Sequence, residues 1–335
     1  MNPKHTCLRL LGSAQIGSLL RRALLRRKIV ILMYHEVLED DKELEAWTVL
    51  RSSDFLWQME FLRRHFQVIS LDAALHLLEE GMSWNGRPRA VVTFDDGYAG
   101  NARCALPIIE ALEIPVTVFV ATEAVEIGGL YWYDRVILAL QHAETDLGID
   151  LGAFGLGVYC LPSGVTGECR WTGIQSLLSA LKTLLPHHRA NAIDCIFRTT
   201  GEHGNRLTGL LSPMSIEDVR LISQSPLVTI GAHSHCHNLL VQLGDKEALE
   251  SIERSKELLE RWTGRPVGFF AYPNGDFNAR VIKSVAHAGF ECGLTTVDRP
   301  ASARDNCFTL PRIGIGRYDT QELFSAKLSG IRVPW

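Results

Sequence analysis

The strongest constraint in this sequence is where its short apolar runs stop. Ala90–Phe94 (AVVTF) leads directly into Asp95-Asp96-Gly97, and Val228–Ala232 (VTIGA) leads directly into His233-Ser234-His235-Cys236-His237. Apolar, β-branched runs of this length read as strands buried on both faces. Lys28–Tyr34, Val116–Ala121, Val267–Ala271 and Glu291–Thr295 read the same way, and Gln67–Ser70 reads as a brief strand. Helical patterns separate them over Ser53–His65, Leu71–Gly81, Asn101–Leu112, Lys246–Thr263 and Ala279–Ala288, with a last helix over Thr320–Ser329. Strands that alternate with helices point to an α/β fold with a parallel sheet or barrel.

A chain of 335 residues suits either one large domain or two. From about 123 to 225 the rhythm changes: Leu130–Gln141, Ile174–Leu185 and His188–Thr199 read as helices, and Gly152–Gly167 is glycine-rich. If Asp96 and His233 meet in one site, this stretch is a mainly helical insertion into a single barrel spanning 29–335.

Hydrophobic residues make up 46% and charged residues 21%, enough apolar material for a sizeable core, and this excludes a disordered or fibrous chain. With 34 basic against 38 acidic residues there is no cationic excess to hold a nucleic acid. The eight cysteines show no CxxC pair and no repeating spacing, which reads as reduced thiols in a cytoplasmic protein. Residues 1–28 form a basic amphipathic segment. Ile16, Leu19, Leu20 and Leu24 recur at helical spacing with Arg21, Arg22 and Arg26 largely elsewhere on the wheel. The favoured reading packs this helix on its own domain with the arginines in water; the other is peripheral contact with an anionic membrane. Arginines interrupt the apolar run, so neither a cleaved signal nor a membrane span is expected.

Two adjacent carboxylates repel each other, and the end of a barrel strand is where such folds place chemistry. A metal ion that takes one carboxylate into its coordination sphere relieves that repulsion. His233 and His237 share a face if the chain turns after the strand, and imidazole is the commonest neutral metal ligand. One carboxylate and two imidazoles leave coordination positions open for water, the form of a hydrolytic rather than a structural site. The bland alternatives are an Asp-Asp-Gly turn and a chance cluster of solvated histidines.

These residues also carry a family resemblance. Thr93-Phe94-Asp95-Asp96-Gly97-Tyr98 resembles the first motif of the polysaccharide deacetylases (the NodB homology domain, carbohydrate esterase family four), and His233-Ser234-x-x-His237 resembles their second. Phe270-Ala271-Tyr272-Pro273-Asn274-Gly275 is similar to the third, in the form of the branch that deacetylates poly-N-acetylglucosamine. Leu32-Met33-Tyr34-His35 and Leu310-Pro311-Arg312 resemble further segments of that branch. The resemblance covers about residues 29–328, with most of 123–225 unmatched.

The resemblance implies a distorted (β/α) barrel of about seven strands and a metal-dependent hydrolase that removes the N-acetyl group from an N-acetylhexosamine. Carried over residue by residue, Asp96, His233 and His237 are expected as metal ligands and Asp95 as the general base. The backbone N–H of Asn274 is expected at the oxyanion, and His35 as the general acid. Two departures stand out. The arginine that commonly orients the catalytic aspartate is Ala271 here, and the aspartate-containing fourth motif has no clear match; Arg312 is expected to supply the missing cation beside Asp95. Tyr98 and Trp132, with Tyr133, are expected to line a sugar cleft. Zinc suits the ligands best, although cobalt, nickel or iron also accept them. The expected partner is an N-acetylated glycan or glycan precursor. The alternatives are hydrolysis of a non-sugar amide on the same site, or a non-catalytic glycan-binding protein that kept the fold.

Overall fold

The computed structural model describes residues 14–81, 83–141, 146–163, 167–201 and 210–330. Seven parallel strands organise it: β1 (Lys28–Tyr34), β2 (Arg89–Phe94), β3 (Val116–Val120), β4 (Val228–Ala232), β5 (Phe269–Ala271), β6 (Cys292–Leu294) and β7 (Ile313–Gly314). Their order is β6-β5-β4-β3-β2-β1-β7. The segment leading into β7 turns this open order into a distorted barrel. Leu310 bridges to Leu294 of β6, and Ile313 and Gly314 then pair with Leu32 and Met33 of β1. Short outer strands add to the sheet, Gln67–Val68 beside β2 and Ala301–Ser302 antiparallel to the start of β1.

Strand alternation sorts the core into two layers. Val30, Leu32, Val92, Phe94, Val118 and Ile230 face outward into the main core under the helices. Ile29, Ile31, Val91, Phe119, Phe269 and Leu294 face inward and fill the barrel. Carried one step past the strand ends, the inward parity of β1, β2 and β4 falls on His35, Asp95 and His233. The barrel filling ends in polar groups at its C-terminal mouth, where folds of this kind place chemistry.

Four helices need labels: α1 (Ala14–Leu24), α2 (Trp132–Gln141), α3 (Gly167–Lys182) and α4 (Pro186–Thr200). The last three, with an antiparallel hairpin of Leu147–Asp150 and Val158–Leu161, share a core separate from the barrel's. Val136, Ile149, Ile174, Leu181 and Ile196 are buried in it. The glycine-rich stretch therefore holds a hairpin that the sequence reading did not anticipate. Glycines allow its tight connection, since Gly155 and Gly157 both adopt positive φ. The helix Ile216–Gln224, placed in the insertion from sequence, packs against β4 through Val219 and Ile222, which belong to the main barrel core.

Residues 1–13 of the N-terminal segment lie outside the described residues. In α1 the expected arrangement of the arginines is corrected. Arg21 is 1% exposed, donates to Ser325 Oγ at 3.3 Å and lies over the Phe61 ring, while Leu19 is 69% exposed. The helix docks through the buried line of Gly17, Arg21 and Leu25, with the Arg21 stem packing as a hydrophobe. Burial lowers the Arg21 pKa to about 10. Among the described residues no helix is long and apolar enough to cross a membrane.

Glu36, just past β1, is fully buried. Its Oε1 accepts the Val37 N–H at 2.8 Å while Oε2 has no partner. Gly100 is packed so tightly on this carboxyl that a Cβ there would sit 2.0 Å from Oε1. Burial pushes the Glu36 pKa well above the ordinary carboxylate value. Between the unfolded and the raised folded pKa only the folded state holds this proton, so stability falls as pH rises, by about 1.4 kcal/mol per pH unit from this group. Glu36→Gln should flatten that part of the pH–stability profile. Urea unfolding from about pH 5 to about pH 8 checks it, and an unchanged slope in the variant would refute the assignment.

Candidate active site

Three strand ends and one loop build the site. Asp96 follows β2 in a left-handed conformation, φ 71°. The turn aims its carboxylate at the loop after β4, where Ser234 and His237 are also left-handed, at 64° and 51°. Ser234 Oγ accepts the His237 N–H at 3.2 Å and shapes this turn. Asp96 Oδ1 then lies 3.3 Å from His233 Nε2 and 3.0 Å from His237 Nε2. One ligand atom from each of the three side chains falls within 4.8 Å of the others.

The donor chemistry of this cluster fits a divalent cation. His233 Nδ1 lies 2.8 Å from the Ala271 carbonyl, which only accepts, so Nδ1 carries the proton and Nε2 presents its lone pair to the cluster. Burial pushes the Asp96 carboxyl up, but the two imidazoles that face its Oδ1, His237 foremost, outweigh it and hold its pKa well below the usual carboxylate range. Tyr133 O–H donates to Asp96 Oδ2 at 2.8 Å, and Tyr131 O–H donates to the Asp96 carbonyl. Sequence reading had missed both contacts, although the run Tyr131-Trp132-Tyr133-Asp134 at the head of the insertion offered a signal.

Asp95 is held quite differently from its neighbour. Arg312, fully buried, grips it in a bidentate pair, with Nη1 to Oδ1 at 2.6 Å and Nη2 to Oδ2 at 2.7 Å. The guanidinium is oriented by the Thr295 carbonyl at 3.0 Å and by Thr93 Oγ1 at 3.2 Å. Burial raises the Asp95 pKa, and Arg312 with His233 more than reverses this, leaving it below the ordinary value. Asp95 Oδ2 stands 4.0 Å from His233 Nε2, beside the ligand cluster and outside it.

His35 lines the same pocket. Its backbone carbonyl accepts from Asn101 Nδ2 at 2.7 Å and its ring packs edge-on to Trp47, while Nδ1 is buried without a partner. Burial lowers its pKa, partly offset by Asp96 and Asp95. The pocket has a volume of about 610 Å³ and runs from the ligand cluster outward past Trp132, Tyr133 and Asn274, with Trp171, Leu178 and Lys182 of α3 on its wall. Asn274 adopts φ 58° in the turn after β5.

One expectation is corrected. Tyr98 does not reach the pocket: it is 1% exposed, its hydroxyl donates to both carboxylate oxygens of Asp134 at 2.9 Å, and its ring meets Tyr131 edge-on. The buried Asp134 carboxylate needs that hydroxyl and draws Tyr98 beneath the site. Trp132 does line the pocket, with the Arg189 guanidinium over its ring.

A family model described as polysaccharide deacetylase matches residues 182–293, a span that contains His233 and His237 and stops short of Asp95 and Asp96. No curated protein matches the chain. Among solved structures, the fold is similar to the Streptococcus pyogenes deacetylase PplD in complex with acetate. The identity is 16% and the TM-score 0.58, over 90% of this chain and 98% of that one. It is similar to IcaB from Ammonifex degensii at 17% identity and TM-score 0.56, over 90% of this chain and 97% of that one. It is also similar to the polysaccharide deacetylase BC0361 from Bacillus cereus at 16% identity and TM-score 0.56, over 90% and 69%. At these identities the likeness is one of fold.

Removing one partner of a buried pair leaves an uncompensated charge, at a cost of about 3–5 kcal/mol. Arg312→Met should therefore destabilise the metal-free protein by about that amount. The double variant with Asp95→Asn should lose clearly less than the sum of the two single losses, because both act on one interaction. Urea unfolding of the four proteins measures this, and additive losses would show that the pair is not coupled.

Proposed function

We propose that the chain is a polysaccharide deacetylase, a metal-dependent hydrolase that removes the acetyl group from an N-acetylated amino sugar; the family model over residues 182–293 and the fold shared with deacetylases support this reading. One observation carries this reading: Asp96, His233 and His237 converge beside a second carboxylate, Asp95, that is kept ionised and aimed by Arg312. In this reading Asp96 Oδ1, His233 Nε2 and His237 Nε2 hold a divalent ion. Once bound, the ion supplies Lewis acidity, which acidifies a water and polarises an amide carbonyl. Zinc suits a carboxylate with two imidazoles best.

The chain's own residues divide the remaining work. Asp95 takes the proton of the attacking water; its lowered pKa keeps it ionised, and the Arg312 fork fixes the direction of its free lone pairs. The backbone N–H of Asn274 stands for the donor that meets the developing oxyanion. His35, whose ring borders the pocket with an unpartnered Nδ1, donates a proton to the departing amine. Tyr133 keeps the second oxygen of Asp96 occupied, so that Asp96 presents Oδ1 alone to the cluster.

Acetate release tests the proposal. Protein stripped with a chelator should release none from N-acetylglucosamine oligomers or from nucleotide- and lipid-linked N-acetylglucosamine, and zinc should restore the activity. Asp95→Asn should keep its metal content while kcat falls by about 10²–10⁴. Metal binding without acetate release from any sugar would move the assignment to a non-sugar amide. Failure to bind a divalent ion would overturn it.

A further inference from the structure

The insertion delivers two cations to this pocket, and each is held by an amide oxygen rather than by a carboxylate. Lys182 ends α3 and donates from Nζ to Asn274 Oδ1 at 2.5 Å. Arg189, in the first turns of α4, is 3% exposed and donates from Nη2 to Asn238 Oδ1 at 2.7 Å, with its guanidinium 4.9 Å from the Trp132 ring centroid. Both partners are amides, which orient a cation and leave its charge intact. Both sit on site loops, since Asn238 directly follows His237 and Asn274 lies in the turn after β5. Among the described residues neither cation makes an ion pair.

The other cations around the pocket are paired. Arg312 is paired with Asp95, and Lys327 with Asp319 at 2.6 Å. Asp96 faces the two imidazoles, and Asp298 stands exposed at the rim. A buried, unpaired cation is costly, and its cost is offset when an anion arrives. Burial and the nearby Arg189 charge lower the Lys182 pKa, while Asp96 and Asp276 act in the opposite direction. The two charges therefore border the same space as the ligand cluster.

Resting on the deacetylase reading, we propose that the substrate is an N-acetylated sugar carrying a phosphoryl group, a glycosyl phosphate or diphosphate, and that Lys182 and Arg189 bind that anion while the acetamido group lies at the Asp96–His233–His237 cluster. The two cations arrive on adjacent helices of the insertion, so the insertion sets this selectivity. A phosphoryl group joins a sugar either to a nucleotide or to a polyprenyl lipid, and both present the same oxygens to the pair.

The test compares N-acetylglucosamine 1-phosphate, UDP-N-acetylglucosamine and polyprenyl-diphosphate-linked N-acetylglucosamine with neutral N-acetylglucosamine oligomers, all on zinc-loaded protein. The phosphorylated sugars should be deacetylated with the higher kcat/KM; preference between the nucleotide and lipid forms identifies the source. Lys182→Met and Arg189→Met should each lower the kcat/KM ratio of phosphorylated to neutral sugar by at least about tenfold, the worth of a charge-assisted hydrogen bond, mainly through KM. Lys182→Arg should restore much of it. Titration calorimetry on metal-free wild-type protein needs no variant, and N-acetylglucosamine 1-phosphate should bind where N-acetylglucosamine does not. Neutral oligomers deacetylated as well as phosphorylated sugars, or equal calorimetric binding of the two monosaccharides, would overturn this proposal and leave the deacetylase reading standing. Acetate release from none of them would count against the deacetylase reading itself, and calorimetry would still decide whether the anion site exists.

Discussion

The pair formed by Arg312 and Asp95 holds the barrel and the site together at once. Arg312 lies on the segment that links β6 to β1, and its guanidinium crosses the barrel mouth to a carboxylate at the end of β2. Closing the sheet and aiming Asp95 are therefore one event. Three further contacts fix the fork: the Thr295 carbonyl, the Thr93 hydroxyl and the face of Phe119. Arginine suits the position because a rigid planar fork can satisfy both carboxylate oxygens in a fully buried setting, where a lysine would present a single point of charge.

Two adjacent aspartates come to play different parts through geometry alone. Strand parity turns Asp95 into the barrel mouth, and the left-handed turn at the next residue swings Asp96 toward the histidine loop. Each carboxylate then meets its own compensating group, a guanidinium for one and two imidazoles for the other. Their mutual repulsion is absorbed by separate partners.

Much of this was legible in the sequence because it follows from period-2 alternation and strand ends. Asp95, His233 and His35 sit one step beyond buried apolar runs, with Asp96 one step further, and their convergence is what a parallel barrel does with such residues. Arg312 was legible through the resemblance, which places an orienting arginine where this sequence has Ala271, together with the need of a carboxylate beside the metal ligands for a cation. Tyr98 misled because adjacency to a site loop says nothing about which side of the loop a residue takes; the buried Asp134 decided it. Lys182 and Arg189 were not legible. They occupy helices whose sequence carries no motif, and their approach to the pocket depends on how the insertion's separate core seats α3 and α4 against the barrel.

Of the five non-glycine residues in the described chain with positive φ, four belong to the site: Asp96, Ser234, His237 and Asn274. Such conformations cost of order 1 kcal/mol each and persist only where surrounding contacts over-determine them. The expense of bending these loops is met once, when the chain folds, and no ligand has to meet it again on arrival. Natural or laboratory selection for thermal robustness alone would thus be drawn toward glycine at these four positions, loosening the one part of the molecule whose shape is its purpose.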